Sequence, residues 1–252
     1  MVPVRVATAI SALVVVVAGC SGVIADALHR TAADTSPSTS APDLAASSQK
    51  IAAKSRPSVV KVRGESESCA KITQGSGFVV APKRVMTAAH VVAGAQSFSV
   101  DADGKPYEAQ VISYDAQADV AILDVPDLAA EPLQFAEYTA GTGVDALVLG
   151  YPGAASFTAS PAKIREVIDL NGPDIYHSST VTRQVYVLMG SFPSAGSSGG
   201  AVVDLYGRVL GLYFGAESHD STTGFAVTAA QVAPQMAKAV ATQATDTGDC
   251  VY

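Results

Sequence analysis

The sequence from Gly190 to Gly200 (Gly-Ser-Phe-Pro-Ser-Ala-Gly-Ser-Ser-Gly-Gly) places a serine, Ser198, between glycines just before two short apolar runs. A nucleophilic serine needs a hydroxyl that stands clear of the backbone and nearby N–H groups free to hold a developing oxyanion. Gly196 and Gly199 permit the tight, positive-φ backbone that turns amides inward. A bare glycine–serine run is more often a linker, but a linker does not lead directly into a Val/Leu-rich hairpin such as Ala201–Leu212 with its turn at Tyr206-Gly207. Two further residues have the right chemistry. His90 closes the small-residue segment Thr87-Ala88-Ala89-His90, and Asp119 heads the apolar run Val120–Val125. Alone, each is ordinary: a histidine beside valines is usually a satisfied core residue, and an aspartate at a strand end is a common turn residue. Together they form a set in which an imidazole takes the serine proton and a carboxylate orients the imidazole.

Gly196-Ser197-Ser198-Gly199-Gly200 also fits the pattern G-x-S-x-G of the α/β-hydrolase esterases, so chain order has to decide. Those enzymes place serine before the acid and the histidine, whereas chymotrypsin-type proteases run His, Asp, Ser. Only His219 follows Ser198, in the polar loop Glu217–Ser221, and too little chain remains to complete an α/β sheet. The order His90, Asp119, Ser198 therefore favours the second scheme.

The elements that must position these residues read as short strands. Ser58–Arg63 alternates as a first strand after Pro57. Gln74–Val80 and Val85–Thr87 flank a turn at Ala81-Pro82-Lys83. Phe98–Asp101 and Tyr107–Ser113 flank a turn at Ala102–Lys105. A short helix is expected at Gln49–Ser55 and a last one at about Ala229–Thr242. Few aromatics and regularly spaced Val-rich runs point to an all-β protein. The net charge of −7 over 252 residues argues against a nucleic-acid partner. The four histidines, His29, His90, His177 and His219, are scattered without metal-ligand spacing, so neither metal nor cofactor is expected.

Residues 1–20 stand apart from this pattern. Arg5 precedes the apolar run Val6–Ala18, which reads as an export signal. The run ends in Val17-Ala18-Gly19-Cys20, which resembles the lipobox of bacterial lipoproteins and makes Cys20 a candidate lipidation site. An uncleaved anchor extending to Ile24, or ordinary cleavage, are the alternatives. Residues 21–48 read as a disordered tether: the stretch Thr31–Ser48 has no aromatic, lysine or arginine and no periodicity. The folded part is then 49–252.

Thr87–His90, Asp119–Leu123, Val148–Gly153 and Gly224–Val227 resemble the bacterial trypsin-like proteases of the HtrA type. Ile164–Glu166, Asn171–Tyr176 and Val181–Tyr186 are more similar to the MarP family, the membrane-anchored periplasmic serine proteases of mycobacteria and related actinobacteria. The similarity runs from about Ile51 to Tyr252. It implies two six-stranded antiparallel β-barrels, at about 56–135 and 143–230, with the site in the cleft between them. Catalysis is assigned to His90, Asp119 and Ser198, and the oxyanion to the backbone amides of Gly196 and Ser198. The resemblance further implies a disulfide between Cys69 and Cys250, leaving Cys20 for the membrane, and suggests work in envelope or acid stress. It implies a peptide or protein substrate and location at the outer face of the cytoplasmic membrane or in the periplasm; a monomer is expected.

Three departures from those families stand out. The MarP family carries several membrane helices before its protease where this sequence shows one amino-terminal apolar run, HtrA proteins carry a PDZ domain after theirs where a last helix is expected here, and Ser197 stands where both place Asp or Asn. Phe192-Pro193 and Tyr213-Phe214-Gly215 fall where the family's substrate pocket lies. They contain no acidic residue, which argues against a preference for arginine or lysine. Phe192 could equally serve only to pack the barrel. Two functions remain: an exported serine endopeptidase, or a silent protease-fold lipoprotein that acts as a binding module. The intact set His90, Asp119 and Ser198 favours the first.

Overall fold

Twelve strands close into two barrels. The first contains β1 (Val59–Ser66), β2 (Lys71–Ala81), β3 (Arg84–Thr87), β4 (Ser97–Ala102), β5 (Lys105–Asp115) and β6 (Val120–Asp124), in the order β1-β2-β3-β6-β5-β4. The second contains β7 (Asp145–Gly150), β8 (Thr158–Pro173), β9 (Thr180–Gly190), β10 (Ala201–Asp204), β11 (Val209–Glu217) and β12 (Asp220–Thr228), in the order β10-β11-β12-β9-β8-β7. These are two six-stranded antiparallel barrels of the chymotrypsin type, as the sequence resemblance implied. This computed structural model describes residues 41–154, 156–192 and 195–251. The apolar run, Cys20 and the tether up to residue 40 lie outside the described residues. No helix among the described residues is long and apolar enough to cross a membrane.

Short-range chemistry explains the hairpins. Asp103 and Gly104, at φ 51° and 84°, make the two-residue turn between β4 and β5, the left-handed pair that Asp-Gly favours. Asp204 Oδ1 accepts from the amides of Tyr206 and Arg208, and Gly207 at φ 81° completes the turn into β11. Closing a barrel removes the sheet's free edges. It also buries strand residues on the inward side and at the seam between barrels, which is why Val120–Leu123 and Ala146–Gly150 are buried without alternation. One core cluster fills the first barrel and continues across the seam through Leu147, Leu149, Val185 and Val203; another, around Tyr186, Leu188, Phe192 and Tyr213, fills the second barrel.

Two expectations need correction. The first helix, α1, spans Ala41–Ser55 and not only Gln49–Ser55, so the last eight residues assigned to the tether are helical. Alanine and leucine favour a helix, and Pro42 lies in the first turn, where a missing N–H costs nothing. At the other end, α3 covers only Ala229–Met236, with Thr228 Oγ1 accepting from Gln231 N as its cap, and a 3₁₀ turn follows at Ala237–Val240. Pro234 lies inside α3 and leaves the carbonyl of Ala230 without its helical donor, which shortens the run of α-helical bonds.

Candidate active site

A single helical turn, α2 (Ala89–Val92), follows β3 and carries His90. Ala88 and Ala89 are fully buried, and their small side chains let the turn sit tightly at the barrel seam. Asp119 arrives at the head of β6, the strand paired with β3, where Ala121 lies opposite Thr87. Asp115 Oδ1 accepts from the amides of Gln117 (3.0 Å) and Ala118 (2.8 Å), closing the turn that leads into β6. Asp119 itself adopts φ 56°, a left-handed conformation that aspartate tolerates better than most residues. Its Oδ1 accepts from His90 N at 2.9 Å, and its Oδ2 lies 2.8 Å from His90 Nδ1. A carboxylate only accepts, so Nδ1 carries the proton and the lone pair rests on Nε2. Burial pulls the imidazole pKa down, but the charge and hydrogen bond of Asp119 outweigh it. Lys71 opposes them weakly, and the net result lies above the ordinary value of 6.5.

Ser198 sits in a loop held from both barrels. Gly196 and Gly199 have φ 88° and 87°, as their place around the serine required. A Cβ on Gly199 would run into the carbonyl oxygen of Ser76 and Thr87 Oγ1, so this position has no room for a side chain. Ser76, in β2, ties the loop down twice and links it to Tyr151, just after β7. Its amide donates to Ser198 O (2.8 Å), its hydroxyl donates to Gly196 O (2.7 Å), and the same hydroxyl accepts from Tyr151 N (2.9 Å). Sequence reasoning did not single out Ser76, although its setting between Gly75 and Gly77 was a usable signal. A Cβ on Gly75 would lie 2.8 Å from Ser198 O and 2.6 Å from Val91 Cγ2, so the serine loop packs directly on the segment bearing His90. Ser198 Oγ donates to Phe214 O at 3.1 Å, and no hydrogen bond joins it to His90 among the described residues. No hydrogen bond among the described residues takes up the amides of Gly196 or Ser198. Ser197 is buried, and its carbonyl accepts from Gly200 N.

The residues assigned to the substrate pocket divide. Phe192, 2% exposed, is pressed between Gly190 and Gly224 and against the Tyr213 ring at 5.6 Å, inside the second barrel's core. Tyr213 is buried too, and its hydroxyl has no partner among the described residues. Phe214 and Gly215 are half-buried, and a Cβ on Gly215 would meet nothing within 4 Å. The open ground beside Ser198 therefore runs along Phe214-Gly215. Pro193 lies outside the described residues.

Cys69 and Cys250 are joined in a disulfide, with Cα atoms 6.1 Å apart. The bridge lies against Gly94, two residues past the end of α2: a Cβ there would stand 3.0 Å from Cys250 Cα. Among the described residues no group of His, Cys, Asp and Glu is arranged to hold a metal ion.

A family model described as a trypsin-like peptidase domain matches residues 75–212. The serine protease Rv3671c of Mycobacterium tuberculosis is 52% identical over 211 residues, which is 83% of this chain and 53% of that protein. The chain thus spans about half the length of the curated relatives it matches. The crystal structure of the Rv3671c protease in its active form superposes with a TM-score of 0.80 at 52% identity, covering 82% of this chain and 92% of that one. An HtrA-type protease, AlgW, crystallised with a tripeptide, shares the fold at a TM-score of 0.64 and 21% identity, over 73% of this chain and 60% of that one. The match over more than half of the sequence, on the two-barrel fold described above, makes this chain a member of the trypsin-like peptidase family.

Proposed function

We propose that the protein is an exported, membrane-tethered endopeptidase that hydrolyses peptide bonds through His90, Asp119 and Ser198. The observation that carries this reading is the grip of the Asp119 carboxylate on both the backbone and the ring of His90, beside a serine flanked by two left-handed glycines. Ser198 Oγ attacks the scissile carbonyl as its proton passes to His90 Nε2. The oxyanion of the tetrahedral adduct is held by the amides of Gly196 and Ser198. The adduct collapses, the amine leaves with the proton from Nε2, and an acyl-serine remains. A water molecule, deprotonated by the same nitrogen, then releases the acid and restores the hydroxyl. Asp119 keeps its own charge throughout and stabilises the imidazolium. Before the first step the Ser198 hydroxyl has to exchange the Phe214 carbonyl for the imidazole.

The pH dependence tests this assignment. Only neutral His90 can accept the serine proton, and its pKa lies above 6.5. kcat/KM for a quenched peptide is expected to fall tenfold per pH unit on the acid side, with the bend above pH 6.5. A profile flat from neutrality to pH 5 would refute His90 as the base. Stability runs the opposite way. A raised folded-state pKa favours the charged His90–Asp119 pair, so this contribution is complete below 6.5 and lost as pH rises through the folded-state value.

Residues 1–20 act as the export signal in this reading, and the chain between them and α1 as the tether. Lipidation at Cys20 would hold the enzyme at the membrane through two or three acyl chains, where a single chain holds only marginally. Cys20→Ser is expected to move most of the protein from the membrane to the soluble fraction on cell fractionation. Retention at the wild-type level would favour an uncleaved apolar anchor.

A further inference from the structure

Arg183, in β9 of the second barrel, is 8% exposed, yet it bonds no carboxylate among the described residues. Its Nε donates to Gln117 O at 2.5 Å, and its Nη1 donates to Pro173 O at 3.2 Å. Nη2 is buried with no acceptor among the described residues. Desolvating a guanidinium for two neutral carbonyls is a poor way to stabilise a fold; an apolar side chain of similar volume often does as well. What distinguishes the position is what it holds. Pro173 belongs to its own hairpin, but Gln117 lies in the first barrel, two residues before Asp119 in the turn that gives Asp119 its left-handed backbone. The charges nearest the guanidinium are those of Asp119, Asp174 and Asp115, and they offset the burial that would otherwise lower its hold on a proton further.

We propose that Arg183 is a positioning residue for Asp119: from the opposite barrel it fixes the turn that aims the carboxylate at His90, and its charge moderates the carboxylate's hold on the imidazolium. The inference rests on the triad reading above. A second tie crosses the same seam. Tyr114 OH donates to Tyr176 OH at 2.6 Å, and Tyr176 OH donates to Thr247 O at 3.1 Å. That tie holds the start of the turn at Tyr114-Asp115, while Arg183 holds its far end next to Asp119. With the tyrosine tie in place, the barrels stay docked when Arg183 is replaced, and only the Asp119 end loosens.

The charged groups around the pair are few. His90 faces Asp119 and, from β2, Lys71. Asp119 faces His90, Arg183, and the Tyr114 hydroxyl, whose own proton it helps to retain. Removing the Arg183 cation leaves the Asp119 charge less opposed, so His90 holds its proton to higher pH. Removing the fork lets the carboxylate shift, and a misplacement of about 1 Å can cost roughly 100-fold in rate.

The test compares wild type, Arg183→Lys and Arg183→Met, with Ser198→Ala as the inactive reference. It measures kcat/KM against pH for a quenched peptide, together with melting temperature. Arg183→Lys keeps the charge but not the two-pronged hold. Its plateau is expected to drop about tenfold with the acid limb unmoved. Arg183→Met is expected to lose about 100-fold at the plateau and to move the acid limb by about half a pH unit or more. A folded Arg183→Met enzyme with an unmoved limb and a plateau within about twofold of wild type would overturn the proposal, even with a lowered melting temperature, since that is a purely structural role. If Arg183→Met does not fold, a wild-type plateau in Arg183→Lys overturns it in the same way. A wild type that does not hydrolyse the peptide at all would instead refute the triad reading, and this inference with it.

Discussion

Ser198→Ala is expected to lower kcat/KM by roughly 10⁵- to 10⁶-fold and to abolish labelling by a fluorophosphonate probe. In the proposed mechanism Ser198 Oγ is the atom that bonds covalently to substrate, and without it the amides of Gly196 and Ser198 would sustain only the residual catalysis that an oxyanion hole and binding supply. Ser197→Ala is the control, because its hydroxyl lies one residue away in a sequence that offers two adjacent serines. The Ser197 side chain is buried against the loop and its carbonyl accepts from Gly200 N, a bond that survives replacement by alanine. Its loss is expected to stay within about tenfold and to leave labelling intact. Equal loss of labelling in the two variants would sink the assignment. No labelling in wild type would favour the silent binding module.

The second large effect concerns the tail. Cys69→Ser with Cys250→Ser opens a loop of 181 residues, for which the chain-entropy model gives an upper figure of about 5 kcal/mol. A native protein has about 5–15 kcal/mol in total, so the expected fall in melting temperature is about 10 °C or more. Activity is expected to fall too, because the tail is bonded to the ground on which His90 stands. Gly94 N donates to Thr247 O, Thr247 Oγ1 donates to Ala95 O, and Lys71 Nζ donates to Val251 O. Thr247 O also accepts from Tyr176 in the second barrel, so the strap reaches both sides of the cleft. Melting curves with and without reductant, together with non-reducing peptide mapping, check both parts. Free thiols at Cys69 and Cys250, or an unchanged melting temperature after reduction, would count against the bridge's stabilising role.

The parts legible in the sequence were those with local causes. Asp103-Gly104 demands a tight turn, and it is one. Val-rich runs bounded by Gly and Pro are strands, and Gly196 and Gly199 have the positive φ that their position around a serine required. The first half of α1 is not legible because a segment poor in apolar residues carries no helical stripe, although its alanines favour a helix and Gly207 lies within reach of the helix residues Ile51 and Ser55. Phe192 shows the reverse limit. Its place six residues before Ser198 is visible in the sequence, but the two openings, at Gly190 and Gly224, that admit its ring come from strands far apart in the chain.

By itself, the sequence determined which residues could do chemistry, the order in which they occur, and the β class of the chain, because backbone freedom at glycine, turn formation at Asp-Gly and alternation along a strand act over a few residues. Only the tertiary structure decided what each of those residues faces. Ser76 reaches the serine loop across 120 residues, Arg183 reaches Gln117 across 66, and Cys250 closes on Cys69 across 181. These contacts depend on barrel closure and on the docking of one barrel against the other. Their energy is spread over the whole core and not over any short stretch, so no local pattern encodes them. The direction of the Ser198 hydroxyl, toward Phe214 and not His90, belongs to the same class: its acceptor is brought within 3.1 Å by a neighbouring strand.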